Sequence, residues 1–178
     1  MLDELVKTIE QDIVQNLRTN FTLQGHKLTG TLNSSIVAMS KITDTGALVQ
    51  VIAEEYAEFV NNGVAASRIP FGKSTGAKTS KYIQALAQYA KLRFLADDKS
   101  ALSIAFAIAK KHKKEGMPTR GSFVFSSNGR RVGAIDDAIE ETLKNIESQL
   151  ASNIEVEIQK LIWTKHKRRL RLMQTKLS

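Results

Sequence analysis

The segment Phe71-Gly72-Lys73-Ser74-Thr75 contains the Gly-Lys-Ser triplet that ends a phosphate-binding loop. Such a loop begins with a glycine five places before the glycine of the triplet, where this chain has Ser67. Pro70 interrupts the stretch whose backbone amides would have to hold the phosphate, and no buried strand precedes it. We therefore interpret the segment as part of an exposed basic loop rather than as a nucleotide site.

The residue types that bind metal ions are scarce or wrongly spaced. The chain has no cysteine, and its three histidines, His26, His112 and His166, stand far apart in the sequence. Asp136-Asp137 and Glu140-Glu141 do place carboxylates one helical turn apart, a geometry that could hold a hard cation. Acids in the first turns of a long helix also complement its dipole and form its solvated side, and we favour this interpretation.

Nucleophilic catalysis has no specific support in the sequence. Serines are frequent in the predicted turns, but no Gly-x-Ser-x-Gly elbow occurs. A cysteine nucleophile is excluded by composition. We expect a chain that is not an enzyme and that needs no cofactor.

Positive charge is concentrated near the C-terminus. The net charge is +8, and six cations that follow Thr164, with no acid among them, leave about +2 on the rest. These six are Lys165, Lys167, Arg168, Arg169, Arg171 and Lys176. Trp163, Leu170, Met173 and Leu177 fall near helical spacing, so the last helix can continue as a basic amphipathic segment. Three interpretations stay open: a solvated terminus, docking on a partner subunit, and contact with DNA phosphates.

Hydrophobic periodicity predicts three helical regions before the last one. From Leu2 to about Asn20, apolar residues recur at steps of three or four. The same spacing occurs over Tyr82–Phe94 and Leu102–Ile108, which predicts two helices or one broken helix in this region. Asp97-Asp98 fits the cap of the second of these, and Gly116 fits its end.

The longest apolar row runs from Ile135 to Leu161 and contains neither glycine nor proline. It predicts a helix from about Ala134 to Trp163, which at 1.5 Å per residue would be roughly 45 Å long. A compact domain of this size cannot cover such a row by itself, so we expect part of it to pack on another subunit.

Two strands are predicted at Ser34–Ile42 and Ala47–Ala53, joined by a turn at Asp44-Thr45-Gly46 into an antiparallel hairpin. A short strand is also predicted at Phe123-Val124-Phe125. Together with the helices, these strands predict an α+β fold in which a small antiparallel sheet packs against helices and a long helix ends the chain.

The remaining irregular segments lie between the hairpin and the middle helices. Tyr56–Gly63 is a short aromatic segment closed by Asn61-Asn62-Gly63, which tolerates left-handed backbone angles. Val64–Lys78 carries proline, glycines and several Ser, Thr and Lys residues without periodicity, and predicts an exposed, mobile loop.

Length and composition are those of an ordinary globular protein. With 178 residues, 42% of them hydrophobic and 25% charged, one domain with a real core is the default. We expect residues 1–163 to form that domain and residues 164–178 to be a basic extension. No stretch is apolar enough for a membrane span, and the acidic start Met1-Leu2-Asp3-Glu4 is unlike a signal peptide.

The order of these features resembles the phage tail-completion family, small neck proteins related to the minor tail components of lambdoid phages. The shared landmarks, which span about Met1 to Ile162, include an N-terminal amphipathic helix and a long final helix. Between these two helices they are Thr29-Gly30-Thr31-Leu32-Asn33-Ser34-Ser35-Ile36 before a hairpin, Tyr56–Gly63, Ile108–Arg120, and Phe123. The chain departs from the family after the tyrosine segment, where Asn61-Asn62-Gly63-Val64 replaces an acid and a Gly-Thr pair.

The resemblance implies a structural virion protein of the head-to-tail junction. Such a subunit assembles as a homo-oligomeric ring that links the portal or its adaptor to the tail, without cofactor or reaction, and a ring requires two different adhesive patches on each copy. We expect it in the virion neck after assembly in the host cytoplasm. The alternative is a basic nucleic-acid-binding accessory protein.

Two groups of residues follow as candidate contacts. We expect Val64–Lys78 to be a docking loop. The candidate assembly residues are Tyr56, Phe59, Asn62, Gly63, Ile69, Pro70 and Phe71. The candidate contacts to DNA or an acidic partner are Lys165, Lys167, Arg168, Arg169 and Arg171.

Overall fold

The computed structural model describes residues 2–44, 46–72 and 79–174. The chain divides into two units, Met1–Ile139 and Glu140–Ser178. The second unit therefore begins inside the last helix.

The fold is α+β, with a small antiparallel sheet, several helices and a long C-terminal helix, as predicted. The helices of the described residues are α1 Leu2–Leu23, α2 Thr31–Ser35, α3 Ala57–Asn62, α4 Lys81–Phe94, α5 Asp98–Glu115 and α6 Ala134–Gln174. Strands β1 Val37–Thr43 and β2 Gly46–Ile52 pair antiparallel, and two 3-10 helices cover Ala66–Arg68 and Arg120–Phe125.

The main core of the first unit forms around the apolar face of α1. The buried side chains of Ile13, Leu17 and Phe21 pack with Leu32 and Ile36 from the chain that leads into β1. The inner face of the hairpin and the first turns of α6 complete this cluster; their members are Ala38, Val49, Val51, Ala134 and Ala138. The periodic row in α1 is thus the core-facing row, as the sequence predicted.

A second, smaller cluster lies between α4 and α5. Ile83 of α4 packs against Ala105 and Ala109 of α5, and these alanines are fully buried. Small side chains at the contact let the two helices approach closely. The side chain of Asp97 accepts a hydrogen bond from the Ser100 backbone at 2.7 Å, and Gly116 ends α5 with a φ of +83°, so both predicted ends are confirmed.

The hairpin has the predicted antiparallel pairing, but its first strand begins three residues later than expected. Ser34 and Ser35 belong to α2, because their hydroxyls donate to the backbone carbonyls of Thr31 and Leu32 at 3.0 and 2.8 Å. Such local bonds favour a helical turn over an extended strand.

Phe123-Val124-Phe125 is not a strand, so that prediction is wrong. It lies in the 3-10 helix Arg120–Phe125, where the Ser122 backbone and hydroxyl both donate to the Thr119 carbonyl. The Arg120 backbone N–H donates to Glu115 Oε2 at 3.0 Å. These hydrogen bonds stabilise a helical turn. The three apolar residues also have no neighbouring strand to pair with within the described chain.

The interpretation of Val64–Lys78 as an exposed loop is corrected over Val64–Gly72. Val64 forms a β-bridge with Met117, with N–H to O distances of 2.7 and 2.8 Å in the two directions. Ile69 is only 3% exposed, and Phe71 packs on the cluster between α4 and α5. Apolar burial outweighed the turn-forming composition here. Residues 73–78, which contain the Lys73 and Ser74 of the phosphate-loop interpretation, lie outside the described residues.

Candidate assembly surfaces and a basic cavity

The candidate assembly residues divide between the surface and the interior. Tyr56 and Phe59, beside and within α3, are 43% and 64% exposed, and can be reached by a partner. Asn62 and Pro70 are exposed and Gly63 is partly so. The other two residues of that group, Ile69 and Phe71, are buried and partly buried, respectively.

Ile69 is buried, and Phe71 lies against Phe106 with 6.4 Å between the ring centroids. Phe71 therefore holds the 64–72 segment to α5, and the buried side chain of Ile69 is not accessible to a partner. Lys113 Nζ adds a bond to the Ile69 carbonyl at 3.4 Å. Only the exposed positions of this segment remain candidate assembly contacts.

The outer face of the hairpin exposes four large apolar side chains, and Lys41 and Gln50 lie on the same face. The register places Val37 opposite Ile52 and Lys41 opposite Leu48, so these side chains and that of Met39 share one face. Val37, Met39, Leu48 and Ile52 are 47%, 52%, 62% and 44% exposed, respectively. The opposite face, with Ala38, Val49 and Val51, packs on the core. In both strands hydrophobic residues stand next to one another, so apolar and polar residues do not alternate regularly. The sequence pattern therefore did not indicate which face is exposed.

The second unit carries its own apolar row. Leu143, Leu150, Ile154, Ile158 and Ile162 follow one another at helical steps of four or seven in α6, and each is more than a third exposed. Contiguous exposed apolar surface of this kind marks interaction sites in folded proteins. Leu143, Leu150, Ile154 and Ile158 belong to the row that the sequence predicted, whereas Ile162 was not part of that prediction.

Lys165, Lys167, Arg168, Arg169 and Arg171 lie in the continuing helix, whose described backbone extends to Gln174, and Lys176 lies outside the described residues. The side chains of Lys165, Lys167, Arg168, Arg169 and Arg171 lie outside the part of the chain that the structure describes, as does that of His166. The prediction that the last helix continues into the basic segment is confirmed for its backbone.

The predicted acidic cluster at the beginning of α6 has structural partners. Asp136 Oδ2 accepts from Asn61 Nδ2 at 3.1 Å, and Asp137 forms an ion pair with Arg130 at 2.6 Å. Glu140 pairs with Lys144 at 2.7 Å. Within the described ranges, no group of three or more metal-ligand side chains comes together.

One cavity of about 560 Å³ in the first unit was not predicted from the sequence. Four parts of the chain form it: Gly25–Leu32, Tyr56 with Val60, the stretch of α4 from Ala85 to Arg93, and Phe125 with Arg131. Its lining includes three basic side chains, Lys27, Arg93 and Arg131. Among the described residues that line it, none is acidic. We call it the basic cavity.

The guanidinium of Arg131 has a hydrogen-bond partner at one of its nitrogens and none at another. Its Nη1 donates to the Gln24 carbonyl at 2.5 Å, whereas its Nε is buried and has no hydrogen-bond partner within the described chain. Burial lowers the pKa of this guanidinium and the neighbouring Arg93 lowers it further, while Tyr89 opposes the shift. Arg131 is thus a half-buried cation beside another cation.

His26 and Arg93 complete the polar part of the basic cavity. Burial, and then the charge of Arg131, lower the pKa of His26 from 6.5 to about 4, although a backbone hydrogen bond with Arg131 opposes this. The imidazole is therefore neutral at pH 7. The Arg93 guanidinium lies 4.3 Å from the centroid of the Phe125 ring, a cation–π contact that orients it.

Comparisons with protein-family models, with curated proteins and with solved structures each found no match to this chain. Over the described ranges, every helix is too short or too polar to cross a membrane.

Proposed function

We propose that this chain is a structural subunit of the phage head-to-tail junction, a neck or tail-completion protein that links the portal or its adaptor to the tail. The observation that carries the proposal is the pair of exposed apolar surfaces, the outer hairpin face and the α6 row. The order of sequence landmarks from Thr29 to Phe123, which resembles the tail-completion family, supplies the specific role.

The two surfaces match what a ring requires. Each copy in a closed ring contacts its two neighbours through different patches, because a head-to-tail contact is not self-complementary. The hairpin face belongs to the first unit and the α6 row to the second, so one chain has two separate apolar surfaces. Copies of the chain cover part of this surface, and portal, adaptor and tail proteins cover the rest.

No reaction, cofactor or membrane is part of this role. The subunit is assembled in the host cytoplasm and remains in the virion neck. Its work is adhesion, so the residues that matter are the exposed apolar side chains.

Deletion of the gene from its phage genome tests the role. We expect heads that are filled with DNA but lack tails, visible by negative-stain electron microscopy, and restoration of tailed particles when the gene is supplied in trans. Tailed, infectious particles from the deletion, or absence of the protein from purified wild-type virions, would overturn the proposal.

A second candidate is a basic nucleic-acid-binding accessory protein, favoured by the six cations after Thr164. Truncation after Trp163 separates the two. An accessory protein would lose its salt-sensitive retention on DNA and keep its oligomeric state, whereas a junction subunit would lose particle assembly with little effect on folding.

A further inference from the structure

The basic cavity has a net positive lining that the described chain does not neutralise. Arg93 and Arg131 are close enough for the charge of one to lower the pKa of the other, and Lys27 adds a third cation. Arg130, next in the chain to Arg131, has an aspartate partner, but Arg131 has only a backbone carbonyl. A half-buried guanidinium such as that of Arg131, which has no carboxylate partner and lies in a cavity lined by two further cations, is costly unless an anion joins it.

The rest of the lining is apolar. Leu28, Leu32 and Val60 contribute aliphatic surface, and Tyr56 and Phe125 contribute aromatic surface. The cavity volume of about 560 Å³ lies in the range of sites that take a few side chains or one small ligand. The occupant must therefore combine an oxyanion with adjacent apolar groups.

We infer that the basic cavity binds a segment of a partner protein in which an aspartate or glutamate stands beside a large apolar side chain. The carboxylate meets the Arg93 and Arg131 guanidinium groups, whose planar geometry suits it. The apolar neighbour meets Leu28, Leu32 and Val60. A nucleic-acid backbone fits less well, because its charges are carried on polar sugars that would leave this aliphatic wall uncovered.

This inference deepens the proposed assembly function by naming the chemistry of one partner contact, but the binding can be measured without any particle. Tyr56, which lines the basic cavity, is also one of the exposed candidate assembly residues. The predicted interaction surface near α3 is thus continuous with the basic cavity.

The test uses the purified full chain and a library of random twelve-residue peptides displayed on yeast. We expect selection to enrich peptides with an acid next to a large apolar residue. Synthetic versions of the enriched peptides, followed by fluorescence polarisation, should lose about tenfold or more in affinity when the acid is changed to its amide.

Matched variants of the chain locate the contact. Arg93→Gln changes an exposed side chain and leaves the fold intact, and Arg131→Lys keeps the charge but not the guanidinium geometry; each should weaken peptide binding about tenfold. Arg130→Gln is the control, because Arg130 pairs with Asp137 and does not line the cavity, and it should bind as the unchanged protein does.

Four results would each overturn the inference. The selected peptides could lack acids, or no peptide could depend on Arg93. Arg130→Gln could weaken binding as much as Arg93→Gln, which would indicate general attraction to a basic protein. An oligothymidylate strand could bind with the same dependence on Arg93 and Arg131 while the peptides do not, which would assign the cavity to phosphate. If the peptide-binding test failed but gene deletion still gave tailless particles, the proposed junction role would stand and only the inference about the basic cavity would be wrong.

Discussion

At the scale of single residues, Asn61 connects two elements of the first unit. Its Oδ1 accepts from the Ile135 backbone N–H at 2.7 Å, its carbonyl accepts from Gly133 N–H at 2.8 Å, and its Nδ2 donates to Asp136. The side chain is only 7% exposed. Asn61 thus caps the beginning of α6 from a distant part of the chain.

Asn61→Ala should lower the free energy of unfolding by about 1–3 kcal/mol, because the Ile135 amide and the Asp136 carboxylate lose a buried partner. Urea unfolding followed by circular dichroism measures this change. Asn145→Ala, at an exposed position further along α6, should differ from the unchanged protein by less than about 0.5 kcal/mol. Equal effects of the two substitutions would show that the Asn61 cap contributes nothing specific.

His26 makes stability depend on pH. Its pKa is about 4 in the folded chain and 6.5 in the unfolded chain, so only the unfolded chain takes up the proton between these values. The contribution of His26 to the free energy of unfolding is present in full above pH 6.5 and is lost as the pH falls towards 4. In His26→Gln, the fall in the urea midpoint between pH 7 and pH 4.5 should be smaller than in the unchanged protein. An identical fall in both proteins would contradict the assignment.

At the scale of elements, α1, α4, α5, α6 and the hairpin could be predicted because their signals are local, whereas the short helices α2 and α3 were not predicted. The apolar row of α1, the Asp97 cap and the Gly116 end each act within a few residues. Burial of Ile69 and formation of the basic cavity depend on contacts between segments far apart in the chain. No spacing in the sequence indicates that Arg131 lies near Arg93.

The bridge between Val64 and Met117 explains two glycines. Gly63 and Gly116 both have a positive φ, and a Cβ at Gly116 would lie 2.7 Å from the Val64 carbonyl oxygen. Backbone at that distance cannot move aside without breaking the bridge.

Gly116→Ala should therefore destabilise the chain by about 2 kcal/mol or more, the sum of an unfavourable φ and a backbone clash. Gly129→Ala is the matched control, since Gly129 has a similar φ of +72° but open space around its Cα. We expect it to cost about 1 kcal/mol by the same thermal or urea measurement. A Gly129→Ala effect as large as that of Gly116→Ala would mean that φ alone matters at both sites.

At the scale of the whole molecule, the apolar surfaces could be predicted only in part. The α6 row was visible in the sequence as a ladder of aliphatic residues. The outer hairpin face was not, because a strand with hydrophobic residues on both faces indicates a covered sheet without indicating what covers it. Both surfaces are consistent with the proposed assembly role.

The mass of the purified full chain in solution tests this claim most directly. Sedimentation velocity at micromolar concentration should show a closed oligomer whose mass is a multiple of 19.7 kDa. Leu48→Lys on the hairpin face and Ile154→Lys on the α6 row should each shift it towards monomer without loss of helical content. Ser148→Lys, which adds the same charge at an exposed position off the row, should not. A monomer at every concentration, or an oligomer indifferent to both apolar substitutions, would contradict the account.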